Sequence, residues 1–522
     1  FQWTGYLDNI STFRISGAVT DFALNADGHL PGVSGFTGSV DGDEKGGKFN
    51  VAAKNLQLDL PKLMRAPLKF DSLLSDGAWK ITADAVEVEL ARVDFANADL
   101  AGDFSGRYSR FRADGPKAKE EKGPGTLDIK GRLSRAAATT IGKYLPNAAS
   151  QTREYIEWAV RDGQIVSADF ALKGEVFEFP FRQRKGGNLR LVAQVKDIDF
   201  RYAEGWPMAE NVSGELVFEN TGFTGKFESG QIFNAKLKST TIAVDDFSAA
   251  PYTLSIRGEA AARGEDVTRF LRESPLISGV GAFTKSVSIE GPGKLELAMK
   301  IPLNAPASST ATTKISGSYT MQGGQAKPVF GPQITGLNGT INFTESDVKS
   351  SGINGTAFGN PLTVAIGSAA DGVVTEFAGR ADVGQLGEML PFAMPRQIKG
   401  STDIAGRISA RSAGADITIE SSLIGVLSSL PAPLAKRSDE ARKLRVVFKD
   451  VGQAVEKISV TLAGNAAVAK ASAPTPAPGV GGTSVAGPAD SAETRIDARF
   501  QRRFDARGDA SLRGGIASVG VL

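Results

Sequence analysis

Residues 163–218 read GQIVSADFALKGEVFEFPFRQRKGGNLRLVAQVKDIDFRYAEGWPMAENVSGELVF. Val166, Ala168, Phe170 and Leu172 alternate with Ser167, Asp169, Ala171 and Lys173. Leu189, Leu191, Ala193 and Val195 alternate with Arg190, Val192, Gln194 and Lys196. Ile198, Phe200 and Tyr202 alternate with Asp199 and Arg201, and Leu216 and Phe218 follow Gly214. Apolar residues at a period of two, with polar residues between them, predict strands wet on one face and dry on the other. Four strands are expected here, and what covers their dry face decides both fold and function.

The pattern extends over most of the chain. Before residue 134 it recurs in FRISGAV (13–19), FNVAA (49–53), LQLDL (56–60), VEVEL (86–90) and LDIKGRL (127–133). Later examples are Tyr252-Leu254-Ile256, Leu295-Leu297-Met299-Ile301, Leu362-Val364-Ile366 and Ile417-Ile419. Residues 134–162 break it. Two short helices split at Pro146 are expected there, with Ser150 capping the second. Arg153, Glu154 and Glu157 would face water, opposite Tyr155, Ile156, Ala159 and Val160. Short helices are also expected at 264–273 and 383–390, and solvated loops at His29 and at 117–122. Residues 466–492, rich in Ala, Pro, Gly and Ser, predict a disordered loop. The organisation expected is a β-rich part at 1–133, a helical insertion at 134–162, the main β part at 163–460, the loop, and final strands at 493–522.

A spacing recurs three times. Pro31 precedes Gly38 and Val40, Pro207 precedes Gly214 and Leu216, and Pro332 precedes Gly339 and Ile341. Proline fixes a turn and glycine admits close approach or a positive φ, so each copy marks a turn entering a strand.

Composition excludes several classes of function. The chain has 522 residues, too many for one compact core. Its 60 basic and 58 acidic side chains leave a net charge of +2, which argues against a nucleic-acid footprint. With no Cys and one His, thiol nucleophiles, thiolate metal sites, disulfides and His-cluster metal sites are ruled out. Acidic groups such as Asp41, Asp43 and Glu44, or Asp245 and Asp246, lie in turn-like sequence rather than in a fixed pair. Gly291-Pro292-Gly293-Lys294 is too short for a phosphate loop and lacks its Ser or Thr. No catalysis and no cofactor are expected. No run of apolar residues is long enough for a membrane-spanning helix. The chain is expected to be a piece of a longer protein, with any membrane anchor outside it.

About 25–30 strands at ~4.8 Å would span roughly 120–145 Å in one flat sheet, and sheets of that size curl or split. Three burials satisfy the alternation: stacked sandwiches, a closed barrel, or a curled trough whose dry face holds something else. Periodicity alone favours the sandwiches.

The central segment carries a further signal. It contains Lys143-Tyr144-Leu145-Pro146, Glu157-Trp158, Gly163-Gln164-Ile165, Phe179-Pro180-Phe181 and Trp206-Pro207. Ser274-Pro275-Leu276, Ile301-Pro302-Leu303, Gly359 with Pro361, and Leu430-Pro431 with Pro433-Leu434 and Lys436 follow in order. From about 125 to 450 this ordered set resembles the AsmA-like family of the Gram-negative envelope, in particular its YhdP branch. The resemblance implies an elongated, curled antiparallel β-sheet groove with a few short helices, periplasmic and anchored to the inner membrane outside this chain. It further implies partners among phospholipids and components of the inner and outer membranes. Acyl chains would lie along the dry face, on Phe170, Leu172, Leu189, Leu191, Val195, Phe200, Leu216, Phe218, Leu254, Ile256, Leu295, Leu297 and Ile301. The alternative function is a non-catalytic scaffold for outer-membrane biogenesis that offers strand edges to β-barrel proteins. Phe177-Glu178-Phe179-Pro180-Phe181 is expected to clamp a strand end, and Arg182, Arg184 and Lys185 to form a solvated turn or meet a lipid phosphate.

Overall fold

The computed structural model describes residues 2–6, 9–27, 31–112, 115–117, 125–182, 185–248, 251–277, 287–305, 310–328, 331–370, 372–387, 394–411, 414–453, 455–463, 494–504 and 510–521. His29, Arg184, residues 118–122 and the loop at 466–492 lie outside them.

Among the described residues are 28 strands, and every strand pair with a described register runs antiparallel. Two compact units are present. One comprises Phe1–Glu259 with Ala298–Thr313, and the other Ala260–Leu297 with Lys314–Leu522. In the first unit a meander runs from Gln2–Tyr6 to Ala235–Val244, each strand pairing with the next. The strand Thr126–Ala137 pairs directly with Val160–Glu175, so the helical segment between them is inserted into a connection between ladder neighbours. In the second unit a ladder runs from Val287–Glu290 through Lys314–Pro328 to Ala510–Val521. Close backbone approach between strands of the described residues is almost wholly between ladder neighbours. Each unit is an antiparallel sheet, curled by bulges, with a few short helices.

One face is wet. Oppositely charged side chains stand across from each other on paired strands: Arg407 and Glu376 (3.3 Å), Arg445 and Glu420 (3.4 Å), Lys173 and Asp128 (2.8 Å), Arg190 and Glu219 (3.3 Å). Each such exposed pair contributes at most about 1 kcal/mol, but together they fix which face meets water. The other face carries unbroken apolar rows. Leu133, Ala168, Ala193, Leu216, Gly225 and Ile242 are successive partners on six strands of the first unit. In the second, Ile353, Val364, Phe377, Gly406, Ile419, Val446 and Val460 follow one another across seven.

Bulges interrupt the alternation at chemically recognisable places. Asp21, Asn55, Asp197 and Asn211 have φ of 54°, 56°, 53° and 53°, and each lies at a register shift. Asn and Asp tolerate this left-handed conformation best among side-chain-bearing residues. Each is the second residue of a polar doublet between apolar residues: Thr20-Asp21, Lys54-Asn55, Lys196-Asp197 and Glu210-Asn211. The extra residue bends the strand and increases its twist. Two sequence expectations change as a result. The segments around Leu191 and Ile198 are one strand, Gly187–Phe200, bulged at Asp197, rather than two. A second bulge puts Ile165 opposite Val195, so Val166 leaves the dry face and is exposed.

The repeated prolines each precede a strand by one or two residues: Gly32–Asp43, Ala209–Glu219 and Ile334–Thr344. The glycines are needed for close approach or φ. A Cβ at Gly38 or Gly214 would meet the carbonyl oxygen of Asn50 or Lys226, and Gly339 has φ +153°.

The inserted segment forms a 3-10 helix at Ala138–Tyr144, a short turn, and α1 at Ser150–Ala159. Ser150 is its first helical residue and caps nothing; Ala149 precedes it. Arg153 is buried, not wet, with Nη1 3.5 Å from the carbonyl oxygens of Leu145 and Pro146. These two carbonyls lie in the turn before the helix and draw the guanidinium inward, although that of Pro146 also accepts the Ala149 N–H at 2.9 Å. Helix α2 spans Gly264–Arg272 and α3 spans Val383–Gly387. Among the described residues no helix is long and apolar enough to cross a membrane.

After the 3-10 turn Val176–Glu178, Phe181 is fully buried and meets Phe179 edge-on at 5.8 Å. Its ring lies against Gly174 and Gly187 of the two paired strands. Phe181→Ala is expected to cost about 3–5 kcal/mol locally, read as faster amide exchange in Val160–Glu175 and Gly187–Phe200. Glu345 accepts hydrogen bonds from Ile315 N (3.0 Å) and Lys314 Nζ (2.9 Å), which hold its carboxyl at about 2. A depressed carboxylate stabilises the fold above its usual value of 4.5 and loses that contribution as pH falls toward about 2. An NMR titration of the Glu345 carboxyl carbon is expected to show a midpoint well under 4.5.

Candidate functional site

In the second unit the dry face opens into a cavity of about 420 Å³, within the roughly 300–1,000 Å³ of typical ligand sites. Its walls come from strands Val287–Glu290 through Gly414–Ser421, with Val451 and Gly452 at one end. The floor is aliphatic: Met321, Leu337, Ile353, Val364, Ile366 and Ile417 all line it and are almost fully buried. Alternation on each strand aims these side chains inward, and the cross-strand rows put them side by side. Phe377 lies over Gly406, where a Cβ would run into its ring, so glycine here makes room for an aromatic on the next strand.

Polar groups on the lining are few. Arg411 belongs to the wet face: its Nη2 is 2.8 Å from Asp416 Oδ2, which also accepts Lys449 Nζ at 2.8 Å. These partners hold the Asp416 carboxyl below its usual value against the opposing effect of burial. Arg380 pairs with Asp403 at 3.5 Å on the same outer side. An apolar cavity of this size, with so few polar partners on its floor, suits hydrocarbon rather than water.

In the first unit Val51, Ala53, Leu56, Leu73 and Val93 form a buried cluster on the dry face, flanked by Phe70, Phe95 and Phe104. Further along, aromatic side chains meet. Tyr155 of α1 lies 6.3 Å from Phe200 and 6.1 Å from Phe247, between ring centres. Phe247 stacks on Phe223 at 5.7 Å, and Phe223 on Phe218 at 5.5 Å.

The thirteen residues expected to line the groove fall into distinct settings. None of them lines the 420 Å³ cavity. Phe170, Leu191 and Phe218 form one cross-strand row, half-buried, with the Phe170 ring over Gly131. Leu172 and Leu189 are direct partners, and Leu216 stands opposite Ala193. Phe200 and Phe218 belong to the aromatic chain. Val195 and Ile301 are buried, and Leu254 has no exposed surface at all. Ile256, Leu295 and Leu297 are half-buried. The cavity instead uses Leu362, Val364, Ile366, Ile417 and Ile419, all in runs legible as strands. Their alternation resembles that of the other strands, and no sequence feature singles them out.

Three of the acidic groups weighed for chemistry, Asp43, Glu44 and Asp246, have structural partners. Asp43 accepts the backbone N–H of Lys45 (2.8 Å) and Gly46 (3.1 Å), Glu44 that of Phe13 (3.2 Å), and Asp246 that of Ser248 (2.8 Å). Among the described residues no His, Asp or Glu cluster is placed to hold a metal ion.

The family model described as "YhdP protein" matches residues 1–478. The chain belongs to the YhdP family. It is similar to "Intermembrane phospholipid transporter YhdP" of Escherichia coli (strain K12), with 24% identity over 446 residues, or 83% of this chain and 34% of the relative. The chain thus spans about a third of that relative's length. No solved structure matches it. Membership fits an antiparallel sheet with one wet and one apolar face.

Gly406→Ala in this YhdP-family chain is expected to push Phe377 off its seat at a cost of about 1–3 kcal/mol. Amide exchange in Gly372–Asp382 and Ile398–Arg411 is expected to accelerate about tenfold or more.

Proposed function

We propose that this chain is part of a periplasmic bridge that carries phospholipid acyl chains along its apolar inner face between the inner and outer membranes. The observation that carries this is the aliphatic 420 Å³ cavity in a YhdP-family sheet. Each methylene taken from water contributes about 0.8 kcal/mol, so ten of them would hold a tail by roughly 8 kcal/mol. Such holding is indifferent to position. When a tail slides by one methylene, one group leaves the wall as another arrives, and cross-strand rows of similar side chains offer the same surface at each step. Headgroups would stay at the solvated opening, since the floor offers them no partners. Movement is passive diffusion, without chemistry, and any direction comes from outside this segment. Anchoring to the inner membrane would come from a segment outside this chain. The half-buried residues of the first unit, such as Phe170, Leu172, Leu189 and Leu191, are proposed to belong to the same path.

Native mass spectrometry of the purified chain, followed by lipid extraction, tests this. Several phospholipids per chain are expected, and Ile366→Asp with Ile417→Asp should reduce the bound lipid about tenfold or more, because a carboxylate on the floor is costly to desolvate. A folded, lipid-free chain that captures an unfolded β-barrel protein would replace transport with the scaffold function.

A further inference from the structure

A second cavity, of about 310 Å³, lies at strand ends of the first unit. There the start of Leu68–Ile81 meets the turn joining Ala85–Ala96 to Leu100–Phe111, and the end of the 3-10 helix Ala138–Tyr144. Unlike the aliphatic cavity of the second unit, this one is lined by charge: Lys69, Asp71, Asp99 and Lys143, with Asn97 and Tyr144. Lys143 and Tyr144 open the Lys143-Tyr144-Leu145-Pro146 motif, which the acyl path leaves unused.

Hydrogen bonds fix its walls. Asn97 is buried, and its side-chain amide donates to the Lys69 carbonyl (2.6 Å) and to Tyr144 Oη (2.8 Å). Its Oδ1 accepts the N–H groups of Asp99 and Leu100, both at 2.9 Å. Tyr144 OH donates to Asp99 Oδ2 (3.1 Å), which also accepts Lys143 Nζ (3.0 Å). Burial first, then the charges of Asp99 and Asp71, raise the Tyr144 phenol above its usual value, so both carboxylates are felt at the hydroxyl. Arg65, also on the lining, is taken by Glu157 of α1 at 2.9 Å. Lys69 and Asp71 are exposed, and neither forms an ion pair or a side-chain hydrogen bond among the described residues.

Lys69 and Asp71 stand two residues apart on one strand, about 7 Å at ~3.3 Å per residue, and project to the same side. Phe70 between them turns to the dry face, where with Phe95 at 5.9 Å it flanks the buried cluster. We propose that this cavity is a headgroup site for zwitterionic phospholipids of the phosphoethanolamine type, with the phosphodiester on Lys69 and Lys143 and the ammonium on Asp71 and Asp99. The proposal rests on the lipid-groove function and names the headgroup selected along this part of the path. The mixed lining decides the class. A purely anionic headgroup would set its charge against Asp71 and Asp99, and a purely cationic one against Lys69 and Lys143. A short zwitterion meets each with its opposite. A primary ammonium also brings N–H donors to Asp99 Oδ1, which accepts no hydrogen bond among the described residues, and a quaternary ammonium has none to bring. At strand ends a headgroup can stay outside while its tails lie on the dry face beside Phe70.

The test begins with soluble headgroups. NMR spectra of the chain, labelled at tyrosine rings and backbone amides, are followed as glycerophosphoethanolamine, glycerophosphocholine, glycerophosphoglycerol or inorganic phosphate is added. Glycerophosphoethanolamine is expected to shift the signals of Tyr144, Lys69 and Asp99, and to bind at least about fivefold more tightly than the other three. Lys69→Gln and Asp71→Asn, both at exposed positions, should each weaken it about threefold or more with amide exchange in Leu68–Ile81 unchanged. Native mass spectrometry after exposure to equal amounts of phosphatidylethanolamine and phosphatidylglycerol with the same acyl chains gives the second readout. The ratio of the two bound lipids is expected to fall about twofold or more toward phosphatidylglycerol when both substitutions are combined, with total lipid per chain unchanged. Equal affinity for the four soluble probes, or no shift at Tyr144 in the folded parent, overturns the headgroup site. So does an unchanged lipid ratio in the double variant, and bound lipid in either case leaves the groove function standing. A chain that binds glycerophosphoethanolamine yet carries no phospholipid rejects the groove function, and the proposal with it.

Discussion

The structure depends on the antiparallel backbone ladder, which supplies almost all close backbone approach between strands of the described residues. Each strand satisfies its N–H and C=O groups on its neighbours, which lets the sheet continue without an enclosing core. The cost falls on the side chains. Half of them point to water, where cross-strand ion pairs and polar residues suit them, and half point to an apolar face. That face must curl on itself, accept helices or hold something apolar, and all three occur or are invited here. Bulges curl it, α1 and α3 place Tyr155 and Leu386 against it, and the second unit leaves an aliphatic cavity open.

Local chemistry sets where the sheet bends. At Thr20-Asp21, Lys54-Asn55, Lys196-Asp197 and Glu210-Asn211 two polar residues in succession break the alternation, and the second adopts a left-handed conformation. A strict period of two would return the next apolar residue to the wrong face. The bulge restores Leu56, Ile198 and Val212 to the dry side while adding twist. Glycine does related work where a large ring must lie flat on the next strand, as at Gly406 beneath Phe377 and Gly131 beneath Phe170.

The two units use their dry faces differently. In the second, aliphatic side chains of moderate size leave space between them. In the first, aromatic rings from the strands, from the 245–248 loop and from α1 meet over part of it. Burial raises the Tyr155 and Tyr202 phenols well above their usual range, as expected where hydrocarbon surrounds them. A surface that appears uniform as an alternating pattern is therefore open in one place and occupied in another.

By itself, the sequence determined the strands, the identity of the wet and dry faces, the interruption at 134–162, and the absence of thiol or His-cluster chemistry. Its ordered motifs also reached the family. These are local properties: a period of two, a proline before a strand, a residue type present or missing. The polar doublets that mark the bulges were equally legible, but Val166 shows how easily a single extra residue reverses a side chain's direction. Arg153 was misplaced because its partners, the carbonyls of Leu145 and Pro146, become available only when the turn forms. Tertiary structure alone decided which apolar residues line an open cavity and which are covered. Leu191 and Ile366 are indistinguishable by pattern. Only the three-dimensional packing sets an open aliphatic cavity beside Ile366, and sets the rings of α1 and of the 245–248 loop against the strands that carry Phe200 and Phe223, because which neighbours meet across the face is decided by strand order, bulges and the placement of a helix rather than by local pattern.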